Sequence, residues 1–179
     1  MNRNYLDLVI LAILIVFGVY ELYKGVRQYM DHNKEKNECL QTHKGEYTFY
    51  EEYKLWFSIY LIVSVGSLIA SVYSMMINKD YSYCIAFVVL SACTFGFALD
   101  CLVKRRAWFY EDGFFYEKKF YRYKSVAAVR PKKSFAKGYD VTFIKDPAMV
   151  MTKKMGEYLE DRIKENRKKK KHNKLWSTT

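Results

Sequence analysis

Apolar positions in this chain fall into three long unbroken runs, Tyr5–Tyr23, Leu55–Ile77 and Tyr81–Val103, separated by charged stretches. Each run approaches the roughly 20 mostly apolar residues that a helix needs to cross a bilayer, so three membrane spans are predicted. The first reads as a retained anchor and not a cleaved leader. Arg3 is its only N-terminal cation, and Tyr20 is followed by Glu-Leu-Tyr-Lys where a cleavage site would need small residues. The connection 24–54 is dense in both signs of charge, has no proline and contains only Gly25 and Gly45 as breakers, so a helix continuing out of the membrane is expected there.

Beyond Ala107 the period changes. Trp108-Phe109-Tyr110 and Phe114-Phe115-Tyr116 flank Asp112-Gly113, a hairpin signal. Tyr123–Val129 is a short apolar stretch, Pro131 to Gly138 a basic turn region, and Tyr139–Ile144 alternates in the manner of a strand. A last strand is expected at Met149–Thr152, after Pro147. Met155, Tyr158, Leu159, Arg162 and Ile163 then recur at helical spacing in a helix over 155–171. The expected architecture is a three-span α-helical membrane region over 1–103, followed by a small α+β domain over 104–171 and a tail over 172–179.

Charge divides the chain at the same boundary. Residues 1–103 hold eight Lys/Arg against ten Asp/Glu, and residues 104–179 hold twenty-two against nine. Cationic flanks are retained on the inner side of a membrane, and Lys104, Arg105 and Arg106 directly follow the third run. The expected placement is a bacterial inner membrane with the N-terminus outside and the connection 24–54 and the C-terminal domain in the cytoplasm. Lys132, Lys133 and the run Lys168, Lys169, Lys170 and Lys171 extend the basic surface, which points to anionic lipid or, less strongly, nucleic acid as partner.

Within the runs, Gly66, Ala70 and Ser74, and likewise Ala92 and Gly96, recur at intervals that stack on one helix face and let backbones approach closely, within or between chains. Self-association follows as an expectation. Asp7 and Asp100 place carboxylates near the ends of spans, where an acid is costly unless it has a role or reaches interfacial water. The hydroxyls of Ser64, Ser67, Ser71, Ser74, Ser91 and Thr94 line an aqueous path if several copies form a ring, or bond their own helices if they do not.

Candidate chemistry is sparse. Cys39, Cys84, Cys93 and Cys101 have no paired spacing in a polar region, which argues against a disulfide framework or zinc site. No phosphate-cradling glycine loop, nucleophile constellation or metal cluster is legible, so no cofactor and no enzyme is expected. Arg27 and His32 have the Arg, four-residue gap, His spacing that resembles HEPN ribonucleases, in which the pair acts on an RNA backbone; Arg167 and His172 repeat it.

Two broader resemblances bear on function. Glu111-Asp112-Gly113-Phe114 after a first strand, Tyr123-Lys124-Ser125-Val126 before a strand at Val129, and the closing helix make about 60 residues of the tail resemble bacterial membrane-attached pleckstrin-homology-like domains. That resemblance implies a lipid- or protein-binding module without catalytic residues. In size, membrane character and the Arg27/His32 element the chain also resembles the small accessory membrane proteins of type VI-B CRISPR–Cas13 loci, which implies an oligomeric inner-membrane pore in antiphage defence.

Overall fold

The computed structural model describes residues 3–43, 45–77, 81–132 and 138–176, and side chains among them from Val9 to Lys168. The chain forms two compact units, Met1–Lys34 with Glu52–Val103, and Glu35–Glu51 with Lys104–Thr179. The first consists of helices. Helix α1 runs Arg3–Thr42, α2 Lys54–Ile77 and α3 Tyr81–Lys104. All three are long and apolar enough to cross a membrane.

Their burial pattern is inverted relative to a water-soluble bundle. Ile13, Val16, Ile62, Ile69, Val72 and Met76 are exposed, while the buried residues of α2 are Ser64, Ser67, Ser71 and Ser74. Hydrocarbon solvates aliphatic side chains and leaves hydroxyls to find partners inside, so this arrangement suits a bilayer. Ser64 donates to the Ser91 carbonyl at 3.1 Å and lies 3.0 Å from its hydroxyl, and Ser71 donates to the Cys84 carbonyl at 3.1 Å. Ser67 and Thr94 turn back on their own helices, to Val63 and Leu90, each at 2.8 Å.

Helices α1 and α3 meet through glycine. A Cβ built on Gly25 would lie 2.8 Å from the Gly96 carbonyl oxygen, and one on Gly96 would lie 2.8 Å from the Glu21 carbonyl oxygen. Only residues without a side chain fit where two backbones come this close.

The second unit contains two antiparallel sheets and a helix. Sheet one has the order β1-β2-β3-β4, with β1 Thr48–Glu51, β2 Arg106–Phe109, β3 Gly113–Tyr116 and β4 Lys119–Arg122. After a single 3-10 turn at Tyr123–Ser125, sheet two follows as β5 Val126–Pro131, β6 Gly138–Phe143 and β7 Met149–Thr152. Helix α4, Lys153–Trp176, closes the unit, and Phe109, Phe114, Val141, Met151, Met155 and Leu159 form its core.

The predicted hairpin is present, with Trp108 opposite Phe115 and the Tyr110 N–H donating to the Gly113 carbonyl at 2.8 Å. The expected helix over 24–54 is corrected. It ends at Thr42, whose hydroxyl caps back onto the Glu38 carbonyl at 2.8 Å, and residues 48–51 form a strand. Gly45 supplies the break, and Thr-Phe-Tyr-Glu has the β-branched and aromatic content of a strand. This strand pairs with one that follows both α2 and α3, Thr48 opposite Phe109 and Glu51 opposite Arg106. The chain therefore leaves sheet one at Glu51, runs through α2 and α3, and re-enters beside its point of departure. Strand β4 is a second element that the sequence pattern did not predict.

Candidate functional site

Sheet one has two chemically distinct ends. At the first, called here the foot, Glu51 leads toward α2 and Arg106 follows α3. The β3–β4 turn returns to this end, because Tyr116 pairs with both Ala107 and Lys119. Lys104, Arg105, Arg106, Lys118 and Lys119 thus collect at the foot, the first and last two exposed and the two arginines half-buried. Lys119 pairs with Asp146, which raises its pKa through the hydrogen bond.

At the opposite end, the head, the Tyr110–Asp112 turn, the loop before β1, the start of the 3-10 turn and the middle of α4 enclose an open groove of about 1170 Å³. Arg122, Lys124 and Arg162 face Glu46, Glu111, Asp112 and Glu165 across it. Cations and carboxylates so nearly balanced do not select an anion. The groove is also cross-tied: Arg162 donates to the Tyr158 hydroxyl and to the Thr48 hydroxyl, both at 2.8 Å, and the Asn166 amide donates to the Glu111 carbonyl at 2.8 Å. Its architecture ties α4 to β1 and to the β2–β3 turn.

Below the groove, Tyr110 and Tyr123 are buried, and the Tyr123 hydroxyl donates to the Tyr110 carbonyl at 3.0 Å. Burial, with the Cys39 thiol beside it, pushes the Tyr110 phenol from 10.0 up to about 12, and burial raises Tyr123 as well. A phenol whose folded value is raised contributes stability that is complete below pH 10 and disappears as the pH climbs through about 12. Tyr110→Phe should therefore flatten part of the stability loss between pH 10 and 12 seen in alkaline unfolding followed by circular dichroism. An unchanged profile would remove Tyr110 from that account.

The structure separates Arg27 and His32. Arg27 is exposed and donates to the Tyr23 hydroxyl at 3.3 Å, whereas His32 is fully buried. Of the two, only Arg27 is therefore open to solvent within the single chain. Of the small residues, Gly96 and Ser74 are buried inside the chain, Ala70 and Ala92 are half-buried, and Gly66 is exposed with nothing within 4 Å of its Cβ position. Asp100 is half-buried near the end of α3, and the side chain of Asp7 lies outside the described residues. Lys132 and Lys168 are exposed; Lys133 and the side chains of Lys169, Lys170 and Lys171 lie outside the described residues.

Sequence reasoning named Lys104, Arg105 and Arg106 as candidate anion contacts, but not their gathering with Lys118 and Lys119 at one end of sheet one, and it missed the groove at the other. The foot depends on β1 and β4, neither of which was predicted, and the groove depends on long-range pairing that no local signal carries. Among the described residues no three His, Cys, Asp or Glu side chains group in a way that holds a metal ion. Comparison with protein-family models, curated proteins and solved structures finds no match for this chain.

Proposed function

We propose that this chain is a membrane-anchored, non-enzymatic scaffold whose pleckstrin-homology-like domain rests its basic foot on the anionic headgroups of the cytoplasmic leaflet. The observation that carries the reading is the pairing of Glu51 with Arg106 across the entire α2–α3 hairpin. Two strands that exchange hydrogen bonds lie on one side of a bilayer, so the helices between them cross it as an outgoing and a returning span. The cations at residues 104–106, 118 and 119 then collect at the sheet end from which both spans depart. Each cation near an anionic surface contributes about 1 kcal/mol of attraction.

Six strands, β2–β7, followed by one closing helix over a shared core support the order that the pleckstrin-homology-like resemblance implies for the tail, with β1 added from before α2. The positive flank after α3 supports an inside domain and an outside N-terminus. The hydroxyls of Ser64, Ser67, Ser71 and Ser91 are bonded within a single chain, and among the described residues only that of buried Ser74 in α2 lacks a partner, so most of them meet their needs without a ring of copies, which favours a scaffold over a pore.

Hydrogen exchange of the full chain in nanodiscs tests the reading. Peptides covering 104–122 should exchange several-fold more slowly in phosphatidylglycerol-rich discs than in phosphatidylcholine discs, and the difference should shrink as salt rises. Equal protection in both lipids would defeat it.

A further inference from the structure

Beside the open groove, and wholly within the second unit, lies a smaller notch of about 240 Å³ lined by Tyr123, Lys124, Val126, Ile163, Asn166 and Arg167. Local sequence builds it. The 3-10 turn sends Tyr123 and the following Val126 inward and leaves Lys124 exposed between them. On α4, Ile163, Asn166 and Arg167 stand at i, i+3 and i+4, so they share one side of the helix. The buried Tyr123, Val126 and Ile163 make an apolar floor, and the exposed Lys124 and Arg167 make the rim.

Among the described residues no carboxylate lines this notch; Glu165, beside it along α4, lines the groove instead. The groove balances its charges, whereas the notch selects a negative group at its rim and an apolar one on its floor.

The notch opens at the start of β5. Sheet two has the order β5-β6-β7, so β5 is an edge, and among the described residues no strand pairs with its outer side. The Lys132 N–H donates to the Gly138 carbonyl at 2.8 Å, and two residues earlier Arg130 pairs with Asp140. Successive residues of an antiparallel ladder turn their N–H and C=O to opposite sides, so Arg130 and Lys132 face β6 while Val129 and Pro131 face outward. Proline has no N–H, so the open side offers the carbonyls of both and the N–H of Val129. Any strand added there is short, because a proline at an edge ends the ladder.

We propose that the notch and the open edge of β5 bind a short extended peptide of a partner protein, with an aliphatic side chain on the notch floor and flanking Asp or Glu carboxylates at Lys124 and Arg167. Strand addition supplies main-chain hydrogen bonds, and the notch supplies selectivity. A bare anion would leave the apolar floor uncovered, and a lipid acyl chain would leave the edge groups of Val129 and Pro131 unused. None of the cations at the foot takes part, so this site and the lipid-facing foot can each fail without the other.

The test pans a displayed library of random short peptides against the full chain in phosphatidylcholine nanodiscs, with empty discs subtracted. Enriched peptides should carry an aliphatic residue next to two or more acids. Labelled with a fluorophore and read by anisotropy, they should bind Lys124→Glu and Arg167→Glu each about tenfold or more weakly, the effect of losing one charge-assisted hydrogen bond. Both side chains are exposed, so the variants should keep the hydrogen-exchange pattern of β2–β7. Bound peptide should slow exchange of the Val129 amide and leave the Lys132 amide, already bonded to β6, unchanged. Absence of enrichment over empty discs, binding that both charge reversals leave intact, or an unaltered Val129 amide in the bound state would each overturn the inference. Phosphatidylglycerol vesicles form a second arm: their capture through Lys124 and Arg167, with no peptide enriched, would overturn it by making lipid the occupant.

Discussion

Gly25→Val should disrupt the membrane unit at a cost of about 3 kcal/mol or more, toward and beyond the upper end of what overpacking a core brings. A new Cβ at this position would sit 2.8 Å from the Gly96 oxygen and 2.9 Å from the Gly96 Cα, so it strikes backbone and no rotamer change relieves it. Gly96→Val should act similarly through the Glu21 carbonyl. Gly66→Ala provides the contrast: its Cβ has open space, and alanine is favoured over glycine in a helix by about 1 kcal/mol, so this variant should match or exceed the parent. Thermal unfolding in detergent, read on all three, checks the expectation. Equal stability of Gly25→Val and the parent would show that α1 and α3 do not cross through glycine.

Phe114→Ala should cost the second unit about 3–5 kcal/mol, the usual range for emptying a buried aromatic site. Phe114 is fully buried, stacks on Phe109 at 5.8 Å and on Tyr121 at 5.5 Å, and pairs with Tyr121 across the β3–β4 ladder. Phe49→Ala, at a strand position 41% exposed, should cost much less. Hydrogen exchange separates this effect from the membrane unit: protection should fall across β2–β7 in Phe114→Ala while α2 and α3 stay unchanged. Loss confined to β3 would mean that the two sheets do not share one core.

The three apolar helices, the β2–β3 hairpin and the closing helix were legible because each is written in a local pattern: a long apolar run, an Asp-Gly turn between aromatic triplets, a 3.6-residue period. Strand β4 was not. Its turn is Glu117-Lys118, with Glu117 held at φ 54°, and neither residue belongs to the Gly, Asn or Asp set that announces such a turn. Strand β1 was hidden differently. Its four residues lie between two long helices, and its partner lies beyond both α2 and α3. The small residues of the spans were readable as close-packing positions, but the sequence left open whether Gly96 meets a second copy or its own α1. Arg27 and His32 show what spacing alone does not carry: Arg27 is exposed and His32 fully buried.

The register of Glu51 against Arg106 also imposes an order on biosynthesis. Strand β1 is made before either of the two spans that separate it from β2, and it waits without its ladder partner while both are synthesised. A flexible loop of that length would cost sheet one roughly 2 kcal/mol more to close than a short hairpin turn. Once α2 and α3 have inserted side by side, with Ser64 on Ser91 and Ser71 on Cys84, that cost is already met and the strand ends are delivered together. If only one of the helices inserts, β1 is left across the bilayer from β2 and the sheet forms without its edge strand. On the proposed reading, completion of sheet one would therefore depend on insertion of both α2 and α3.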